Sequence, residues 1–101
     1  MQYIIMAYDG NDEKALERRA SFREEHLRKI EQMKDEKKHL YAAAILDDFG
    51  KMIGSLIIVD FQTKEELDEY LKVEPYVIGK VWEKIEIKPC KVGPMFLGLH
   101  K

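Results

Sequence analysis

Two short stretches of this chain, Tyr3–Tyr8 and Leu56–Val59, are apolar at every position. A strand with one wet face alternates apolar and polar residues; a strand without alternation is covered on both sides and lies inside its sheet. The fold must therefore place these two runs as interior strands. The flanking pattern supplies the other elements. Gln2–Tyr8 reads as the first strand, and Asp9-Gly10-Asn11-Asp12 as a turn in which Asp12 is a candidate helix cap. Ala15–Lys37 reads as one long helix. Leu40–Leu46 is a second strand built mostly of small residues (Ala42, Ala43, Ala44), and Asp47-Asp48-Phe49-Gly50-Lys51 is a hairpin turn leading into a third strand, Met52–Phe61. Thr63 and Glu66 form a capping-box signature, opening a second helix, Lys64–Lys72, with Leu67, Tyr70 and Leu71 inward. Glu74-Pro75 interrupts it, and Pro75 suits the start of a short further helix that carries Tyr76 to Val81. The fourth strand, Trp82–Lys91, alternates: Ile85 and Ile87 point one way, Lys84, Glu86 and Lys88 the other. Gly93-Pro94 then precedes an apolar tail, Met95-Phe96-Leu97-Gly98-Leu99.

The order β-α-β-β-α-β specifies an α+β fold, the ferredoxin-like plait, with an antiparallel four-stranded sheet in the spatial order four-one-three-two. The two interior strands of that order are the two unalternating runs. Two helices cover one face of such a sheet and leave the other exposed and apolar, too large a patch for a lone chain. A second copy, sheet against sheet with two-fold symmetry, is the simplest cover, so a homodimer is expected. The 101 residues make one domain, and the tail 94–101 is expected to pack on the barrel or on the dimer partner.

The long helix poses the functional question. At about 100° per residue, Ala15, Leu16, Ala20, Phe22, Leu27, Ile30 and Met33 form one apolar stripe. Arg19, Arg23 and His26 fall inside that stripe rather than on the solvated face. Charges turned toward an interior need acids supplied by the fold, or a cavity holding water and a ligand, because an unpaired buried charge costs several kcal/mol.

Composition narrows the partners. Formal net charge is −2, with acidic and basic residues interspersed, so no basic field is present to attract nucleic acid or an anionic membrane. The opening Met1-Gln2-Tyr3-Ile4-Ile5 lacks the charged and long apolar regions of a secretory signal, and no segment approaches a membrane span. A single cysteine, Cys90, excludes an intrachain disulfide and fits a reducing compartment; a cytoplasmic location is expected. Cys90 reads as an inert strand thiol. His39 and His100 read as solvated, at a helix end and a chain end, and no spacing offers a zinc motif, so no metal site is expected. Tyr3, Tyr8, Tyr76, Phe49 and Trp82 could wall a pocket for a planar ligand. No glycine-rich phosphate loop is present.

Several stretches together resemble the YciI-like (YCII-related) family of small dimeric α+β barrels. They are Leu16–Leu27 (LERRASFREEHL), Gly54–Phe61 (GSLIIVDF), Glu74-Pro75-Tyr76-Val77 and Lys88-Pro89. The resemblance spans nearly the whole chain. It implies kinship with muconolactone isomerases and cofactor-free monooxygenases of the same barrel shape, and a site pairing a first-helix histidine with the aspartate of an Asp-Pro-Tyr motif. By that resemblance His26 is the histidine and Glu74, one methylene longer, stands at the acid position. Family members often carry Gly-Pro where this chain has Ala43-Ala44. No cofactor is implied.

A histidine oriented by a carboxylate can act as general base or acid near neutral pH. Arg19 or Arg23 beside it could clamp a carboxylate or an enolate-like oxyanion. The group suits proton transfer next to a carbonyl, or elimination, on a small carboxylate or lactone: a cofactor-independent lyase or isomerase with His26 and Glu74 as the reacting pair and Arg19, Arg23 and Tyr76 on the substrate. The competing reading is a non-catalytic dimeric ligand-binding or accessory module, in which the same side chains hold a metabolite or only one another.

Overall fold

The computed structural model of the chain describes residues 1–97. It contains the elements β1 (Gln2–Asp9), α1 (Ala15–Asp35), β2 (His39–Leu46), β3 (Met52–Asp60), α2 (Lys64–Val73), α3 (Pro75–Ile78) and β4 (Trp82–Cys90), followed by a single 3-10 turn at Pro94–Phe96. His100 and Leu99 lie outside the described residues. The four strands form one antiparallel sheet in the order β2-β3-β1-β4, which makes the chain a ferredoxin-like α+β plait with β1 and β3 inside.

The alternation of the interior strands sorts their side chains onto two unequal faces. Tyr3, Ile5 and Ala7 on β1 stand opposite Val59, Ile57 and Ser55 on β3. All six are buried, the apolar ones beneath Met33, Leu67, Tyr70 and Tyr76 of the helices. Ile85 and Ile87 of β4 join this face opposite Ala7 and Ile5. The other face carries Ile4, Met6, Leu56 and Ile58, each only half-buried, and ends on β4 in Lys84, Glu86 and Lys88. Among the described residues no α-helix lies over it.

Local chemistry sets the helix ends. Thr63 Oγ1 accepts from the Glu66 N–H at 3.2 Å and starts α2. Glu74 then ends α2 in extended backbone and starts α3, its carboxylate accepting from the Tyr76 N–H, with Pro75 at the first helical position. Asp12 does not cap α1: the N-cap is Lys14, without a side-chain cap, and the Asp12 carboxylate is instead gripped by both Nη atoms of Arg18 at 3.1 and 2.7 Å. That fork holds Asp12 near pH 2, well below the usual carboxylate range.

Helix α1 buries Ala15, Arg19, His26 and Met33, with Phe22 and Ile30 half-buried. The expected stripe is narrower than its apolar residues suggest. Leu16, Ala20, Leu27 and Arg23 are exposed on the single chain, because α1 does not close over the edge strand β2, whose Ala42, Ala43 and Ala44 are also exposed. Gly79, just after α3, lets that short helix press on α1: a Cβ there would come inside 3 Å of three Phe22 ring carbons. This contact seats Glu74 and Tyr76 against His26.

Two irregularities in strand pairing decide what the helix-covered face contains. The register slips between Tyr8 and Asp9, so that Asp9 pairs with Trp82. It slips again between His39 and Tyr41, so that His39 stands opposite Val59. The first leaves Trp82 buried out of phase with Ile85 and Ile87, and the second leaves His39 buried out of phase with Ala42 and Ala44.

Candidate functional site

The site lies between α1, the α2–α3 junction and the helix-covered face of the sheet. His26 and Glu74 meet there. His26 Nδ1 is 2.5 Å from Glu74 Oε1, and both side chains are buried, Glu74 completely. Glu74 Oε1 also accepts from the Tyr76 backbone N–H at 3.0 Å, and Oε2 accepts from the Tyr70 hydroxyl at 3.0 Å. A carboxylate with these donors takes its remaining hydrogen bond from Nδ1–H. That assigns the tautomer and leaves Nε2 as the ring nitrogen open to a ligand. Burial, reinforced by the Glu74 charge, pushes the Tyr70 phenol far above its ordinary value, so it stays a donor.

Aromatic rings fix the imidazole plane. Tyr76 stacks on His26 with centroids 3.8 Å apart and planes 9° from parallel, and Trp82 meets both rings edge-on. Arg19 lies over the Tyr76 ring, Cζ 5.1 Å from its centroid. The Tyr76 phenol is raised chiefly by burial, against the opposing pull of Arg19 and Arg23.

The two arginines differ. Arg19 Nη1 donates to both Asp9 oxygens at 3.0 and 2.9 Å; Nη2 donates to Gly54 O at 3.3 Å and Ser55 Oγ at 3.1 Å. Ser55 Oγ also accepts from Trp82 Nε1 at 3.2 Å. Arg19 is thus held in an ion pair as buried as itself. Arg23 does not point at the interior: it is exposed and has no hydrogen-bond or ion-pair partner among the described residues.

A cavity of about 180 Å³ opens between α1 and β2 and joins these groups. It is lined by Arg19, Arg23, His26 and Tyr76 on its polar side, and by Leu27, Ile30, Met52, Ile57 and the three alanines of β2 on its apolar side, with Ser55 between. Of the five aromatic residues considered for a pocket wall, only Tyr76 lines it. Trp82 supports it from behind, Tyr3 is core, Tyr8 belongs to the opposite face, and Phe49 projects from the β2–β3 hairpin, 96% exposed. A larger depression of about 390 Å³, lined by Glu36, Lys37, Lys38, Asp60, Phe61, Gln62 and Glu66, lies apart and contains none of these groups.

His39 corrects the sequence reading. It is buried, not solvated, and its Nε2 has no hydrogen-bond partner. Burial, with the nearby charge of His26 adding to it and that of Glu74 opposing, lowers it to about 4. No group of three His, Cys, Asp or Glu among the described residues could hold a metal ion, and none of the described helices is long and apolar enough to cross a membrane. Sequence reasoning also missed Asp9, read as a turn residue, and Ser55, read as part of an apolar strand. The available signal was an acid directly after a buried strand, facing an inward arginine.

The molecule is a ferredoxin-like α+β plait with a buried histidine–carboxylate pair at the wall of a small cavity. The chain belongs to the YCII-related domain family, whose model matches residues 1–91. It is 34% identical over 97 residues to Protein YciI of Escherichia coli O6:H1, and equally to that of Shigella flexneri, covering 90% of this chain and 97% of each relative. An uncharacterized protein of Haemophilus influenzae is 30% identical over the same span. Among solved structures, the fold matches 5-chloro-2-hydroxyhydroquinone dehydrochlorinase from Burkholderia phenoliruptrix, in complex with 2,5-dihydroxybenzoquinone. The TM-score is 0.78 at 19% identity, covering 94% of this chain and 98% of that one.

Proposed function

We propose that the chain is a cofactor-independent lyase or isomerase acting on a small carboxylate or lactone by proton transfer at His26. The observation that carries this reading is the His26 Nδ1–Glu74 Oε1 contact at the wall of the cavity. Glu74 holds the ring so that Nε2 serves the cavity, and its charge stabilises the imidazolium once Nε2 has taken a proton. The proton comes from a carbon next to a carbonyl. The electron pair left behind passes to the carbonyl oxygen as an enolate, which an arginine at the cavity stabilises. Nε2–H then returns the proton to a different carbon, an isomerisation, or the enolate collapses with loss of a leaving group, an elimination. The solved structural relative is by its name a dehydrochlorinase and was captured with a quinone. A planar ring in this cavity, with loss of a leaving group from it, is consistent with that chemistry.

A second reading rests on a specific observation. Glu74 is fully buried with both oxygens engaged, and the same carboxylate caps α3. It would be needed for folding whether or not it served catalysis. In that case the chain is a ligand-binding or accessory module with a structural His/Arg/Glu network.

The open sheet face belongs to the proposal too. Ile4, Met6, Leu56 and Ile58 lie there half-buried, with no α-helix of the described residues over them, and a second copy stacked sheet to sheet would cover them in a homodimer.

The two functional readings separate in a screen of small carboxylic acids and lactones by thermal shift, on wild type and His26→Ala. A compound that raises the melting temperature of wild type and not of the variant, and is consumed by wild type, supports the enzyme. Binding without consumption supports the module.

A further inference from the structure

We infer that the two arginines lining the cavity do different jobs: Arg19 is a positioning residue that fixes the Tyr76–His26 stack, and Arg23 alone recognises the anionic group of the ligand. The inference rests on the site reading above and sharpens it.

Arg19 and His26 are seven residues apart on α1, two turns, so both project from the same face with a rise of about 10.5 Å between them. The Tyr76 ring is in contact with both, stacked on the imidazole at 3.8 Å and 5.1 Å from the guanidinium carbon. Arg19 cannot also turn to a ligand. Its two terminal nitrogens are spent on Asp9, Gly54 O and Ser55 Oγ, its Nε has no partner among the described residues but is buried out of reach of solvent, and its charge is neutralised by an acid as buried as itself. Releasing it would strand the Asp9 carboxylate, an unpaired buried charge. Through Ser55 the same network holds the Trp82 indole, whose ring edge abuts both His26 and Tyr76. Two contacts of Arg19, the one to the Tyr76 ring and the one through Ser55 to the Trp82 indole, therefore end on rings that pack against the imidazole.

Arg23 is the complement. It lines the same cavity one turn from Arg19 and three residues from His26. It is exposed, so its charge carries little desolvation cost when no ligand is present. With Arg19 cancelled by Asp9, the cavity wall retains one uncompensated guanidinium. That favours a ligand with one anionic group over a neutral molecule of equal shape. Size sets a further limit: about 180 Å³ is the scale of a space that holds a single six-membered ring, which needs roughly 150 Å³.

The test uses benzoate and its neutral counterpart benzamide as probes, and reads the fluorescence of Trp82, the only tryptophan of the chain. Wild type should bind benzoate at least about tenfold more tightly than benzamide, the scale of a charge-assisted hydrogen bond. Arg23→Gln should bring that ratio close to one. Arg19→Lys should weaken both probes together, keep their ratio, and alter the emission of the unliganded protein, because the indole loses its support. Should Arg19→Lys fail to fold, Ser55→Ala cuts the link from Arg19 to the Trp82 indole while leaving the Arg19–Asp9 pair intact, and a positioning role again leaves the ratio unchanged while altering the emission. Three results would each overturn the assignment: no preference for benzoate in wild type, a retained preference in Arg23→Gln, or a changed ratio in Arg19→Lys or Ser55→Ala. None of these measurements requires turnover, so the failure of the proton-transfer reading would be seen separately.

Discussion

The Glu74 carboxylate, at the break between two helices, lies 2.5 Å from the Nδ1 of His26, forty-eight residues earlier in the chain. It also takes the Tyr70 hydroxyl and the Tyr76 N–H. One side chain therefore orients the imidazole, starts α3 and satisfies a buried phenol.

Glu74→Ala should accordingly be among the most damaging single changes in this chain. It leaves three buried donors without their acceptor, and loss of one member of a buried pair costs about 3–5 kcal/mol. Glu74→Gln keeps an amide oxygen for Nδ1–H and should cost distinctly less. Urea denaturation of both variants checks the order. Equal stability of Glu74→Ala and wild type would mean that the carboxylate organises nothing.

His39 gives a pH signature. Its folded value of about 4 lies below the 6.5 of an ordinary histidine, so between those values the unfolded chain binds the extra proton. Its contribution to stability is complete above about pH 6.5 and is lost as pH falls toward 4, by up to about 3 kcal/mol. Denaturation at pH 7 and pH 4.5 should show a smaller loss in His39→Phe than in wild type. A His39 imidazole titrating near 6.5 by NMR, assigned by its loss in His39→Phe, would contradict this.

His39 also shows where the sequence stops being legible. The plait, its strand order and its covered face follow from residue patterns, because Tyr3–Tyr8 and Leu56–Val59 admit only interior positions. Helix phase turns His26 inward, and its pairing with Glu74 is what the family resemblance implies. His39 and the Asp9–Trp82 pairing depend instead on the two register slips, which strict alternation along a strand does not anticipate. Arg19 was legible as inward. Its partner was hidden, because Asp9 sits where a turn signal and a strand end overlap.

Gly79→Ala probes how the site is seated. The new methyl group would enter the Phe22 ring and push α3 from α1, at a cost of about 1–3 kcal/mol. Because α3 carries Tyr76, the change should also disturb the stack on His26. A drop in melting temperature together with altered Trp82 emission is expected. Altered stability with unchanged emission would separate the packing of α3 from the geometry of the site.

The open face and the tail predict association. Ile4, Met6, Leu56 and Ile58 are only half-buried among the described residues, and Met95, Phe96 and Leu97 are 77%, 57% and 48% exposed on the single chain. Sedimentation at micromolar protein should give twice the chain mass. Truncation after Gly93 should lower the melting temperature if the tail packs in the dimer, since burial of a large apolar side chain contributes about 1.5–3 kcal/mol. A monodisperse monomer would contradict the sheet-to-sheet arrangement, and an unchanged melting temperature would show that the tail adds nothing to it.

Proton transfer by His26 is tested most directly by carbon–hydrogen exchange in heavy water. A panel of small lactones and 2-oxo carboxylates is incubated with the protein in D2O, and loss of the proton signal next to the carbonyl is followed by NMR. Wild type should accelerate deuterium incorporation into at least one member, and His26→Gln should lower that rate by about 10²–10⁴-fold, the usual share of a general base. Equal exchange with wild type and His26→Gln, or no acceleration by wild type across the panel, would contradict it.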